Sequence, residues 1–232
     1  SNVTSNHTIA ASFAINTYTL TYTAGTGGAL TGVTPQTVNH GASGTPVTAV
    51  PNTGYHFVNW SDSSTANPRT ETNVMANLSV TANFAANSFT LSYTAGTGGT
   101  LTGVTPQTVT YGANGTPVTA VPNTGYHFVY WSDSSTANPR TDTNVTANVS
   151  VTANFAANTY TLTVVSAHGT VTKAPDLLTY AYGTNVLLTM GTVDPGWTFT
   201  GWDGVGCTGT SPCTVTMSAD TTVTANFTQN AY

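Results

Sequence analysis

Residues 15–85 and 86–156 align without a gap at a spacing of 71 and differ at only 12 positions, among them Tyr18/Phe89, Glu71/Asp142 and Leu78/Val149. Phe13, Phe84 and Phe155 fall on that spacing, as do Trp60, Trp131 and Trp202. A third and looser copy, 157–228, keeps Thr159-Tyr160-Thr161-Leu162, Tyr182-Gly183, Gly201-Trp202 and Val223–Phe227. Whatever fold one copy adopts, the chain must adopt it in tandem. Such repetition is the mark of an array, in which the module sets the length and surface of a larger object. An enzyme assembles one site once, so the pattern points to architecture before chemistry.

The shortage of charge excludes several functions. Charged residues make up 5% of the chain, and Lys173, Arg69 and Arg140 are its only lysine and arginines. So few cations cannot neutralise a phosphate backbone, which argues against nucleic-acid binding, nor hold the chain on anionic lipid. No run of about 18 apolar residues exists, so no membrane insertion is expected. No basic segment followed by an apolar one opens the chain, and Ser1-Asn2-Val3-Thr4 falls in the middle of a repeat. Threonine is the commonest residue, at 52 copies, but 39% hydrophobic and 10% aromatic residues suffice for small cores.

The local pattern is all-β. Tyr18-Thr19-Leu20-Thr21-Tyr22 alternates large apolar and polar residues with the period of a half-buried strand. Ala24-Gly25-Thr26-Gly27-Gly28 reads as a turn. Further strands are expected near Gln36–His40, Val47–Val50, Gly54–Trp60 and Leu78–Phe84, rich in Thr and Val whose branched β-carbons suit a pleated surface. Pro68 bars a helix from the polar stretch Ser61–Thr72. Each module then holds five or six short strands around Leu20, Val38, Val47, Tyr55, Phe57, Trp60, Val80 and Phe84. The linkers Ala85-Ala86-Asn87 and Ala156-Ala157-Asn158 are too short for free tumbling and favour a stiff rod over beads on a string.

The sequence of Tyr-Thr-Leu-Thr, Gly-Gly, Tyr-Gly, Pro-Asn-Thr-Gly-Tyr-His-Phe-Val-x-Trp-Ser-Asp and Val-Thr-Ala-Asn-Phe resembles the internalin-type B-repeats, including the Listeria–Bacteroides repeat and its divergent relatives. The resemblance is closest at Gly54–Trp60, Gly125–Trp131, Val80–Phe84, Val151–Phe155 and Val223–Phe227. The third copy, Gly196–Asp203 followed by a cysteine pair, is similar to a secreted bacterial variant. The resemblance implies a tandem array of three small modules (β-grasp-like or small sandwiches) on secreted or cell-surface proteins, serving as stalks, spacers or adhesive segments without catalytic apparatus.

The cysteines agree with an extracellular setting. Cys207 and Cys213 enclose a short, turn-rich loop and are expected to form a hairpin disulfide. His56 and His127 read as structural or surface residues, since Thr198 takes their place in the third copy. Asp62 and Asp133 read as turn caps, and Arg69–Glu71 with Arg140–Asp142 as exposed pairs worth well under ~1 kcal/mol. Tyr130 and Trp197 are the candidate exposed rings for stacking on a glycan or gripping a host protein. Asn-x-Ser/Thr sequons at Asn2, Asn6, Asn59, Asn77, Asn114, Asn144, Asn148 and Asn226 offer glycosylation sites. No catalytic constellation, cofactor site or metal site is expected.

Residues 2–14 align with 73–85, the last strand of a module whose remainder is missing. This N-terminal orphan strand, with Asn2, Val3, Ile9 and Phe13, is either the cut end of a longer array or a donor strand that inserts into a neighbouring subunit. The expected partners are therefore neighbouring repeats or head-to-tail copies of the chain, with a glycan or host protein as the alternative.

Overall fold

The computed structural model describes residue 2 and residues 4–231, and among these no helix occurs. The first repeat has six strands: β1 (Thr17–Ala24), β2 (Gly28–Thr31), β3 (Gln36–Asn39), β4 (Thr48–Pro51), β5 (Tyr55–Trp60) and β6 (Leu78–Ala86). Four of them form a mixed sheet in the order β3-β1-β6-β5, and β2 pairs with β4 in a separate ribbon. The first and last strands are parallel central neighbours, in register from Leu20↔Leu78 to Ala24↔Ala82. A parallel pair needs a long crossover. Here the crossover consists of β2–β5 and the polar loop after β5, all-β where a β-grasp fold carries a helix.

The sheet and ribbon face each other across one small core. Leu20 and Tyr22 alternate inward from β1, Val80 and Ala82 from β6, Ala49 from the ribbon and Val74 from the loop, all around Trp60. Burying side chains of this size stabilises by roughly 1.5–3 kcal/mol each. Tyr55, expected in this core, is 40% exposed. Tyr55 shares the face of Phe57 but stands at the first position of β5, at the rim of the core, whereas a β-bulge between Phe57 and Asn59 lets Phe57 and Trp60, three apart, both reach the core. Tyr55 covers Gly27, its ring standing where a Cβ would be.

The second repeat has the corresponding strands β7 (Ser88–Ala95), β8 (Gly99–Thr102), β9 (Gln107–Thr110), β10 (Thr119–Pro122), β11 (Tyr126–Trp131) and β12 (Val149–Ala157), with the same orders and the same bulge. The third is more finely divided, into β13 (Thr159–Tyr160), β14 (Leu162–Ser166), β15 (Gly169–Ala174), β16 (Tyr180–Ala181), β17 (Asn185–Val193), β18 (Trp197–Gly204), β19 (Cys207–Gly209), β20 (Cys213–Thr216) and β21 (Thr221–Gln229). Its β14 and β21 again form a parallel pair.

The chain packs as two compact units, and the boundary cuts through the second repeat. One holds the described residues up to Thr90 with Thr108–Gly115 and Thr143–Asn148; the other holds Leu91–Gln107, Thr116–Asp142 and the described residues from Val149 on. The N-terminal segment forms no strand up to Asn16. Ile9 and Phe13 are more than nine-tenths exposed, whereas their counterparts in β6 are the buried Val80 and the half-buried Phe84. A strand needs a paired neighbour, and among the described residues no strand pairs with this segment, whose Asn16 only accepts the His40 N–H. Val3 lies outside the described residues.

Candidate functional site

Two features recur with the repeat: a loop pinned over the buried tryptophan, and a joint between successive repeats. In the first repeat the loop after β5 passes beneath Trp60, whose Nε1–H donates to the Ala66 carbonyl at 2.8 Å. Asn67 follows, and its side-chain amide imitates a strand residue. Its Oδ1 accepts the Ala49 N–H and its Nδ2 donates to the Ala49 carbonyl, both at 2.8 Å. Arg69 then turns inward, against the expectation of an exposed pair. It is 7% exposed, bridges Val47 through its backbone, and lays its guanidinium 5.5 Å from the Trp60 ring centre.

The buried guanidinium is compensated on two sides. Nη1 and Nη2 fork onto Asp62 at 2.8 and 2.7 Å, and Nε donates to Glu71. Arg69's hydrogen bond, first among the causes, lowers the Asp62 carboxyl to about 2, while the carboxylates push the guanidinium upward. Asp62 also caps its own turn, accepting the Ser64 N–H at 3.2 Å. In the second repeat, Asp142 replaces the longer Glu71 and the fork swings round. Arg140 grips Asp142 through Nε and Nη2, at 2.9 and 2.7 Å, and reaches Asp133 through Nη1 alone. Tyr93 donates its hydroxyl to Asp142 at 2.6 Å. Tyr22, in the same place of the first repeat, has a buried hydroxyl with no partner among the described residues.

The third repeat has no arginine here. Trp202 still donates to a loop carbonyl, Ser211 at 2.9 Å. The loop, however, runs into a strand, β20, paired with β17, and Cys207 and Cys213 are joined by a disulfide and buried. Leu188↔Cys213 is a backbone rung like the Val47↔Arg69 and Val118↔Arg140 bridges of the first two repeats.

The joint is built on glycine. Gly54 has φ +81°, and the Tyr111 Cγ of the following repeat stands 2.5 Å from where its Cβ would be. The linker Asn87 donates its N–H to the Gly54 carbonyl and accepts the Tyr111 N–H, each at 2.8 Å. Its side-chain Oδ1 meets His56 Nδ1 at 2.8 Å. The second linker repeats this: Asn158 joins Gly125, Tyr182 and His127 at 2.8 Å in every case, and Tyr182 covers Gly125 (φ +81°). Only glycine tolerates both that φ and a ring in the Cβ position.

The predicted site residues scatter. Tyr130 is 45% exposed on β11, an open ring. Trp197 is half-buried, with one face covered by His168, stacked at 3.6 Å. His168 holds the place of Gly27, so the Gly–Tyr pair of the first repeat has become a His–Trp pair. Several sequon asparagines hold turns or strands: Asn77 Oδ1 accepts the Thr19 N–H, Asn148 Oδ1 that of Thr90, Asn114 Oδ1 that of Asn144, and Asn59 Oδ1 accepts from Asn83. Asn2, Asn6, Asn144 and Asn226 are exposed. Sequence reasoning missed the Asp62–Arg69 link and the whole joint, although the Gly54/Gly125 and Asn87/Asn158 repeats were its visible trace.

The divergent InlB B-repeat domain matches the sequence three times in succession, over residues 18–88, 89–159 and 160–231. The chain belongs to this family. Its frame sets each repeat to start at the aromatic of the first strand, Tyr18, Phe89 or Tyr160. Among solved structures, the Bacillus anthracis TIE protein is similar at 9% identity and a TM-score of 0.37, over 90% of this chain and 49% of that one. The chain thus spans about half the length of that protein. No curated protein matches it.

Proposed function

We propose that this chain is a structural element of a secreted or cell-surface protein, a stalk or spacer whose reach is set by the number of B-repeats. The observation that carries this reading is the joint. Both linkers are fixed by the same hydrogen bonds and the same tyrosine-on-glycine contact, so each added repeat is coupled to the one before it. Membership of the B-repeat family and the buried disulfide support an extracellular setting.

The test is small-angle scattering on chains with residues 86–156 deleted, present once or duplicated. A constant increment in maximum dimension per repeat is expected. A dimension that does not grow on duplication overturns the reading.

An adhesive role for the third repeat is the second reading. Leu178 is 95% exposed and Val205 75%, both on third-repeat loops, and apolar tips of this kind suit a protein contact. Binding to a host surface or glycan array that is lost with residues 157–232 would favour it.

A further inference from the structure

The first two repeats differ in the loop that follows β3 and β9. The first has Ser43-Gly44 there and the second has Asn114-Gly115, the chain's one Asn-Gly pair. In the first repeat the Gly44 N–H donates to the Glu71 carbonyl at 2.9 Å. In the second, the Gly115 N–H has no partner among the described residues. The Asn114 side chain is exposed and tethered through a single atom. Its Oδ1 accepts the N–H of Asn144 at 2.9 Å, a residue held in the left-handed region at φ +50°. The leaving group of an amide, here Nδ2, is thus open to water, while the carbonyl is fixed.

We propose that Asn114 is a self-modification site, at which the folded chain converts its own amide to a carboxylate through a succinimide, with water as co-reactant. The Gly115 nitrogen loses its proton to solvent and attacks Asn114 Cγ. A C–N bond forms, the Cγ–Nδ2 bond breaks, and Nδ2 takes up a proton and leaves as ammonia. Water then opens the ring. Adding at Cγ, it restores the backbone and leaves aspartate; adding at the main-chain carbonyl carbon, it leaves isoaspartate, whose backbone is one methylene longer. Three features of the fold favour the first step. Glycine has no Cβ to fend off the approaching carbonyl carbon. No hydrogen bond must break to free the Gly115 nitrogen, whereas Gly44 would lose one. Attack turns Oδ1 into an oxyanion, and the Asn144 N–H is already aimed at that atom. Either product adds a negative charge to a chain whose net charge is −5. The isoaspartate also displaces Thr116, whose N–H donates to Gln107 Oε1 at 2.7 Å just before the Val118↔Arg140 bridge. Only the second repeat carries the change, so an aged molecule differs from a new one in a single module.

Peptide mapping by mass spectrometry tests it, on the full chain aged at neutral and at mildly alkaline pH, with isoaspartate read by enzymatic methylation. Asn114 is expected to convert ahead of the chain's other asparagines, faster at the higher pH, and to give both products. Asn114→Ser, which installs the residue of the first repeat, should abolish the new species without moving the denaturation midpoint. Ser43→Asn sets the same pair beside a bonded Gly44 N–H. It should react roughly three- to tenfold more slowly than Asn114, the cost of first freeing one backbone hydrogen bond. The proposal is overturned if Asn114 stays an amide in the folded chain and converts only in urea. It is equally overturned if Ser43→Asn reacts as fast as Asn114, since the dipeptide and not the fold would then account for the chemistry.

Discussion

The loop over the tryptophan is held by charge in the first repeat and by a covalent bond in the third. Arg69 is buried against Trp60 and gripped by Asp62 and Glu71; around Trp202, strand pairing and the Cys207–Cys213 bridge do the same task. The task is thus separable from the residues that perform it. What the module requires is a peptide pressed against one face of the indole and accepting its N–H. The second repeat shows how finely the charged solution is tuned, since one methylene fewer at Asp142 re-aims the guanidinium and supplies an acceptor to Tyr93.

The largest effect should come from Arg69→Met. It leaves the two carboxylates without their cation and uncovers Trp60, at a cost of about 3 kcal/mol, within the range for breaking a buried pair. Hydrogen exchange of the first-repeat amides reads the loss, and the third repeat should be unmoved. Reducing the disulfide, or Cys213→Ser, should do the converse. The third repeat should lose ~2–3 kcal/mol by release of the closed loop, with the first two unchanged in urea melts. Equal losses in all three repeats would dissolve the comparison.

A smaller effect in the opposite direction sharpens it. Glu71→Asp should let Tyr22 donate its hydroxyl as Tyr93 does, stabilising the first repeat by roughly 1 kcal/mol. An unchanged denaturation midpoint would show that the tyrosine contact contributes nothing.

The mildest probe is pH. Asp62 sits at about 2 in the folded chain because of Arg69's hydrogen bond. Asp142 is lowered by Arg140 first. Asp133 is lowered too, although partial burial, its largest single influence, pushes it up. Carboxylates depressed on folding contribute stability that is complete above their unfolded values and lost as pH falls through the folded ones. The first tryptophan loop should therefore loosen between about pH 4 and pH 2, and the second likewise as pH falls below the ordinary carboxylate range, while the disulfide loop does not titrate. Asp220, lowered by the Thr161 N–H, is the third repeat's counterpart, but it caps the start of β21 rather than the tryptophan loop. Tryptophan fluorescence of single-repeat tryptophan variants, followed across that range, separates the two classes.

Much of the fold was legible because it repeats. Alternation in Tyr18–Tyr22 located β1 and its inward Leu20, and the Gly and Pro punctuation located the other long strands. Tyr55 was misplaced because period-2 alternation puts it on the face of Phe57 without showing that it stands at the rim, over Gly27; the bulge between Phe57 and Asn59, which turns Trp60 to that same face, exists only through pairing with β6. The short β2 was hidden inside a glycine turn, because a strand of Gly28–Thr31 exists only through its pairing with β4. Arg69 was read as exposed because its main partner, Asp62, is seven residues away, across a loop whose path the local pattern does not encode. The joint was illegible for a related reason: Gly54 and Tyr111 belong to different repeats, and nothing local marks a glycine as a seat for a remote ring.

The parallel pairing of each repeat's first and last strands has a mechanical consequence. A pull applied through the linkers draws β1 one way and β6 the other, along their common axis. The rungs from Leu20↔Leu78 to Ala24↔Ala82 then share the load in shear instead of opening one after another like a zip. A tether made of such modules resists sudden tension in every repeat at once and yields, when it does, one 71-residue length at a time.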